Sequence, residues 1–166
     1  MEPGSGGCYA AAVTEPVLDL RDELDALVKS LDAAGVPYAV CGALALAVHG
    51  HPRATRDLDL LTPAASVEAF KAVARAHGFI LEALPMTFSS SQITVHRLSR
   101  ITGTQLLMLD ILVGDGVLSP VWESRERRET GRGPLWVVSR QGLVTMKLAA
   151  GRPQDLADLA RLSESA

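Results

Sequence analysis

The order of helix-like and strand-like segments in this 166-residue sequence predicts one α/β (α+β) domain, a mixed sheet flanked by helices. Three observations carry that prediction. Val17, Leu20, Leu24, Leu27, Val28 and Leu31 recur at helical spacings of three and four. Short apolar runs bounded by glycine or proline, at 38–41 and 57–61, have the length of buried strands. Segments alternate α, β, α, β, α before several strands and two closing helices follow, with no internal repeat.

Gly4, Gly6, Gly7 and the alanines after them make 1–15 a flexible lead-in, leaving 16–166 as the single domain. A helix is expected over 16–34, with acids crowded near its positive end and Gly35-Val36-Pro37 stopping it. Residues 38–41 form a buried strand broken by Gly42. A compact Ala/Leu helix then runs over 43–49 to Gly50, and Pro52 forbids its continuation. A second strand over 57–61 turns at Thr62-Pro63. The helix over 64–77 gathers Val67, Phe70, Val73 and Ala74 on one face and ends at Gly78. Strands are expected at 79–84 and 93–98, with Ser89-Ser90-Ser91 as turn material between them. Residues 105–113 are apolar except for Asp110 and make another strand. Residues 125–133 read as a charge-dense loop and 135–138 as a short strand. Two closing helices, 141–150 and 153–162, are separated by Gly151.

A hydrophobic share of 48% and a mean hydropathy of +0.19 exclude disordered, collagen-like and coiled-coil classes. With 4% aromatic residues, the core must come from Leu, Val and Ala. A net charge of -3 and a pI near 5.8 argue against a wholly basic, nucleic-acid-coating surface. Cys8 and Cys41 supply neither a disulfide framework nor a metal-ligand spacing. No apolar run approaches the roughly 20 residues that span a bilayer. The first fifteen residues lack the basic start and long apolar stretch of a signal peptide. A soluble, cytoplasmic chain with no membrane partner is expected.

The chemistry concentrates in 41–61, CGALALAVHGHPRATRDLDLL. On a strand, Asp57 and Asp59 point to the same face, about 6.6 Å apart at the backbone, while Leu58 and Leu60 bury on the other. Asp110 is a lone carboxylate in an apolar strand, a costly placement by itself. If its strand neighbours 57–61, a spacing of about 4.8 Å brings a third acid to the same spot. Such acids repel by about a few kcal/mol per pair at an effective dielectric of about 20. A divalent cation resolves the repulsion, and all-oxygen ligands favour Mg²⁺ or Mn²⁺. Just upstream, the small Gly42 and Ala43 open a helix whose free N–H groups can meet a phosphate. A phosphate turn followed by three acids is the layout of two-metal phosphoryl chemistry.

In that order these residues resemble the minimal nucleotidyltransferases of the DNA polymerase beta superfamily, and most of all their AbiEii-type, toxin-like branch. The family's Gly-Gly/Ser turn, helix closing at His-Gly, Arg-x-Thr-x-Asp-hydrophobic-Asp run and later strand acid correspond to Gly42-Ala43, His49-Gly50, Arg53, Thr55, Asp57, Asp59 and Asp110. Residues 146–159, MKLAAGRPQDLADL, resemble the branch's closing helix pair, and the likeness covers about 38–162. The departure is Ala43, which lacks the serine hydroxyl that would bind a phosphate oxygen. The resemblance implies a polymerase-beta-like core that transfers a nucleoside monophosphate from an NTP, with Mg²⁺ or Mn²⁺, to a hydroxyl of a protein or RNA acceptor, tRNA included. It implies that Asp57 and Asp59 hold both metals and that Asp110 holds the catalytic one and helps activate the acceptor. It also implies that Gly42, Ala43, Arg53, Thr55, Lys147 and Arg152 contact the nucleotide, with Asp155 and Asp158 orienting the basic groups. A toxin–antitoxin setting with a cognate toxin or antitoxin follows from the same resemblance.

Each assignment has an ordinary alternative. The acids could cap loops at strand ends, and Gly42-Ala43 could be a plain turn. Lys147 could be an ordinary surface lysine of the last helices, and Arg152, Asp155 and Asp158 could form an internal salt-bridge network. Arg53 and Arg56 could offset the acids, and His49 could close a helix rather than bind zinc with His51 and Cys41. The arginines of 125–133 could be solvated rather than grip RNA. Two competing functions remain beside the transferase: a non-catalytic, antitoxin-like binding module on the same fold, and a metal-dependent nuclease using the same acids.

Overall fold

The computed structural model describes residues 17–164, so the lead-in expected over 1–15 lies outside the described residues. The Asp19 carboxylate accepts from Arg21 N at 2.8 Å, and this cap starts α1 (Leu20–Ala33) at Leu20 rather than at residue 16. The chain continues through β1 (Ala39–Val40), α2 (Gly42–Val48), β2 (Asp57–Thr62) and α3 (Val67–Ala76). Short strands β3 (Leu81–Glu82) and β4 (Met86–Phe88) precede a long hairpin of β5 (Ile93–Thr102) and β6 (Gln105–Val113). Then come α4 (Ser119–Glu123), a second hairpin of β7 (Glu126–Thr130) and β8 (Gly133–Val137), and the closing helices α5 (Arg140–Ala150) and α6 (Pro153–Glu164).

The strands form one sheet in the order β3-β5-β6-β2-β1-β8-β7, with β4 pairing on the same edge of β5 as β3. The β2–β6 and β1–β8 pairs are parallel and the other pairs antiparallel, so the sheet is mixed, as the segment order predicts.

Three elements depart from the sequence reading. The stretch 125–133 is not a loop: it contains strand β7, which pairs with β8. Charge does not prevent a strand at the edge of a sheet, where exposed Arg127, Arg128 and Glu129 blunt further pairing. Of 79–84 only β3 pairs, and the unexpected β4 follows it. Helix α4 was not foreseen; it is five residues long with Pro120 in its first turn, too short for a periodic signal.

Leu24, Leu27, Val28 and Leu31 of α1 and Phe70 and Ala74 of α3 bury against one face of the sheet, together with Leu58, Leu60, Leu98, Leu109 and Ile111. Arg100 marks that face: it donates to His77 O at 2.8 Å at the end of α3 and pairs with Glu23 of α1 at 2.6 Å. Burying each large aliphatic side chain stabilises the fold by about 1.5–3 kcal/mol. Strand alternation then sends Asp57, Asp59, Arg97 and Asp110 to the opposite face. There α5 packs against α2, α4 and α6.

Candidate active site

The β2–β6 register sets Asp59 directly against Asp110 and Asp57 against Met108. In the next ladder Arg97 stands against Asp110. Partners in register share a face, so all four charged side chains rise together. Arg97 Nε donates to Asp110 Oδ1 and Nη2 to Oδ2, both at 2.7 Å. This is the strong two-pronged geometry of a guanidinium on a carboxylate.

The two acids of β2 have no such neutralisation. Asp57 Oδ1 is buried without a hydrogen-bond partner. Burial, then the Asp110 charge, raises Asp57 above the usual carboxylate range, with Arg97 opposing. Burial, then Asp110 and Asp57, pushes Asp59 up to about 7 against the pull of Arg152 and Arg97. Cys41, fully buried beside them, is raised by burial and then by Asp59 and Asp110. Its thiol is therefore held neutral.

Gly42 is dictated by this arrangement. Its φ is +62°, and a Cβ there would lie 2.2 Å from Asp59 Oδ2. Only a bare backbone admits the carboxylate. Cys41 N donates to Asp59 O at 2.9 Å, pinning the turn to β2. Ala43, next in the turn, is 3% exposed. Helix α2 has seven residues, so its dipole is weak and the turn matters chiefly as a place of close approach.

The basic residues expected near the nucleotide are gathered by two buried acids. Lys147 Nζ lies 2.6 Å from Asp158 and 3.6 Å from Asp155. Arg53 Nε donates to both oxygens of Asp158, at 3.0 and 3.1 Å. Arg152 Nε donates to Asp155 at 2.7 Å, and Gln154 Nε2 to Asp158 at 3.2 Å. Burial works to raise both acids, but the hydrogen bonds and charges of Arg152, Lys147 and Arg53 hold them below the usual range. Three cations against two anions leave the cluster one positive charge in excess, beside Asp59, whose pKa Arg152 lowers. Thr55 Oγ1 accepts from Asp57 N at 3.4 Å and so braces the start of β2.

Other singled-out residues serve the fold. His49 Nε2 donates to Val138 O at 2.8 Å, tying the end of α2 to β8. Arg125 stacks over Trp122 at 3.8 Å and Trp136 at 5.2 Å. Arg128 pairs with Glu126, and Arg132 bridges Asp22 and Asp25 of α1.

Among the described residues, no group of three His, Cys, Asp or Glu side chains stands ready to hold a metal ion. Both Asp110 oxygens are closed on Arg97. The donor set nonetheless fits a hard divalent cation, for three reasons. Asp57 Oδ1 is a buried oxygen without a partner. Asp57 and Asp59 are raised by burial and by the charges around them. The space where a Cβ of residue 42 would sit is taken by Asp59 Oδ2. An all-oxygen site of this kind suits Mg²⁺ or Mn²⁺.

Arg97 is the site residue that sequence reasoning missed. The signal was the two-residue turn at Gly103-Thr104, which pairs Thr102 with Gln105; five residues back on one strand and five on along the other place Arg97 opposite Asp110.

No family model matches the sequence, and no curated protein matches it. Solved structures do. A candidate nucleotidyltransferase of Thermotoga maritima is similar over 88% of this chain and 93% of its own, at 16% identity and a TM-score of 0.61. The antibiotic-resistance factor ANT(2″)-Ia, solved in complex with adenylyl-2″-tobramycin, is similar over 87% of each chain, at 14% identity and a TM-score of 0.58. This chain therefore has the fold of these proteins, a mixed sheet flanked by helices in a nucleotidyltransferase arrangement. Among the described residues, no helix is long and apolar enough to cross a membrane.

Proposed function

We propose that this chain is a nucleotidyltransferase, moving a nucleoside monophosphate from an NTP to a hydroxyl of a protein or RNA acceptor. The observation that carries this reading is the register of Asp59 on Asp110, with Asp57 two residues along and the bare Gly42 turn against Asp59. It stands on a fold shared with nucleotidyltransferases.

Asp57 and Asp59, with Asp110 once Arg97 has left it, would hold a divalent cation; when bound, that cation offsets phosphate charge and polarises the phosphoryl oxygens. The acceptor oxygen forms a bond to the α-phosphorus as the bond from that phosphorus to the bridging oxygen breaks. Pyrophosphate leaves with the electron pair, and the hydroxyl proton passes to a carboxylate oxygen of Asp110. The excess positive charge of the Lys147, Arg53 and Arg152 cluster lies on the Gly42 side of the acids, where it favours the triphosphate. Most of the work asked of the protein is positioning and charge stabilisation.

The test is transfer of label from α-phosphate-labelled NTP to an acceptor in Mg²⁺. Wild-type chain labels, and Asp57→Asn and Asp59→Asn do not; labelling that survives both substitutions sinks the reading. The toxin–antitoxin setting rests on the likeness of 146–159 to the toxin-like branch. A cognate partner should then co-purify with the chain when its neighbouring gene is expressed alongside, and failure to do so removes that part.

One observation favours a second reading, a non-catalytic binding module: Arg97 closes both oxygens of Asp110. That module would form a stable protein complex and release no pyrophosphate with any acceptor.

A further inference from the structure

The face that carries the acids differs on their two sides. Toward β1 and α6 lies the Lys147, Arg53 and Arg152 cluster. Toward β5 and the β3–β4 edge lies an apolar floor. Met108 is the register partner of Asp57. Leu106 and Ile101 are partners of each other on the same face, Leu81 partners Ser99, and Met86 and Phe88 partner Val95 and Ile93. By strand alternation all of them project to the side of Asp110 and Arg97. Much of this floor is open to solvent: Ile101 is 61% exposed, Leu106 54%, Phe88 50% and Leu81 49%. Apolar side chains exposed together on one sheet face mark a surface that something covers.

We propose that this floor seats the acceptor, and that the acceptor is a polypeptide segment whose hydroxyl-bearing residue is flanked by apolar side chains. The proposal rests on the transferase reading and names its substrate class. The hydroxyl must approach Asp110, and the surface around Arg97–Asp110 on β3, β4, β5 and β6 offers apolar contact. The only charges at its register positions are that ion pair. A nucleic-acid backbone needs several cations to offset its phosphates, and among the described residues this floor carries one, Arg97. Phe88 is its single aromatic, whereas sequence-tolerant single-strand binding stacks successive bases on several. From the β4 edge to β2 is about three strand spacings, roughly 14 Å, which an extended segment of about four residues crosses. On this route the serine, threonine or tyrosine oxygen bonds to the α-phosphorus, the bond to the bridging oxygen breaks, pyrophosphate leaves, and the hydroxyl proton goes to Asp110.

The experiment offers the full chain α-labelled NTP and Mg²⁺ with two probes. One is an array of peptides with a central Ser, Thr or Tyr and flanks of Leu/Val, Asp/Glu or Lys/Arg; the other is total tRNA. Label is expected in the apolar-flanked peptides. Phe88→Glu and Ile101→Glu, both at exposed positions, should lower it by about ten-fold while the thermal shift produced by Mg²⁺ and NTP stays as in wild type. Label on tRNA, equal label on charged-flank peptides, no label on any peptide despite a nucleotide shift, or floor variants that label as wild type would each overturn the proposal. So would light scattering that shows a dimer dissociated by Ile101→Glu, because a second copy would then cover the floor. Absence of any nucleotide shift in the wild-type chain is a different failure: it removes the transferase reading itself, and this inference with it.

Discussion

Arg97 and Asp110 face each other across the β5–β6 ladder, and the guanidinium holds both carboxylate oxygens at 2.7 Å. A divalent cation and Arg97 therefore compete for the same two oxygens. The pair is partly solvated, with side-chain exposures of 36% and 13%, so its net worth is about 1 kcal/mol or less. That is small enough for a cation to displace. Arg97→Gln should fold with little loss and bind Mn²⁺ up to about five-fold more tightly than wild type without nucleotide, as read by titration calorimetry. Equal or weaker Mn²⁺ binding in the variant would show that Asp110 is no part of a metal site.

Gly42 and Ala43 are neighbours with opposite expectations. Gly42→Ala places a Cβ 2.2 Å from Asp59 Oδ2 at a φ of +62°. It should destabilise the chain by about 2 kcal/mol or more and abolish nucleotide-dependent stabilisation. Ala43→Ser adds one hydroxyl at the turn and should raise nucleotide affinity about three-fold or more through one further hydrogen bond. The check is a urea midpoint together with the thermal shift in Mg²⁺ and NTP. A tolerated Gly42→Ala would contradict the close approach, and an Ala43→Ser that weakens nucleotide would place the phosphates elsewhere.

Much of this was legible because the decisive signals are local. Glycine and proline stops mark α1, α2 and α3, and the Asp-x-Asp alternation places two acids on one strand face. That Asp110 lies beside them required only that β6 neighbour β2, which the register shows. What escaped was of two kinds. Strand β7 is charge-dense, and an edge strand paired on one side needs no apolar pattern to form. Arg53 meets Asp158 across 105 residues of sequence, a non-local contact that no periodicity announces. Arg97 lies between these cases: the Gly103 turn sets its register, but only once β5 and β6 are read as one hairpin rather than two separate strands.

Lys147 and Arg152 both serve the buried acids of α6, yet they should respond differently to substitution. Asp158 is fully buried and Lys147 is 4% exposed, so Lys147→Met removes a buried, charged hydrogen bond and leaves Asp158 to Arg53 and Gln154, which should cost about 1.5–3 kcal/mol. The Arg152 side chain is 75% exposed, and Arg152→Met should cost less than about 1 kcal/mol. Urea denaturation separates the two. Equal losses would mean that the network is held by its arginines rather than by the lysine at its centre.

The raised carboxyl of Asp59 makes stability depend on pH in an unusual direction. Its folded value is about 7 against an ordinary 3.8. Between those values the native chain keeps a proton that the unfolded chain has released, so unfolding free energy falls as pH rises through this window and levels off above it. Asp57 is raised as well and adds in the same sense, the two titrating as a coupled pair. Asp155 and Asp158 are lowered, so the stability they contribute is lost only as pH falls below the ordinary carboxylate range. His96 is lowered, chiefly by burial, and works against Asp59 over part of the window, so the comparison must be between variant and wild type. In chelator, Asp59→Asn should remove a decline on the order of a few kcal/mol between about pH 4 and 7. Saturating Mg²⁺ should remove the same decline in wild type, because a bound cation favours the ionised pair. A wild-type profile in chelator that matches Asp59→Asn point for point would show that Asp59 titrates normally, and the electrostatic case for a cation at this site would lose its main support.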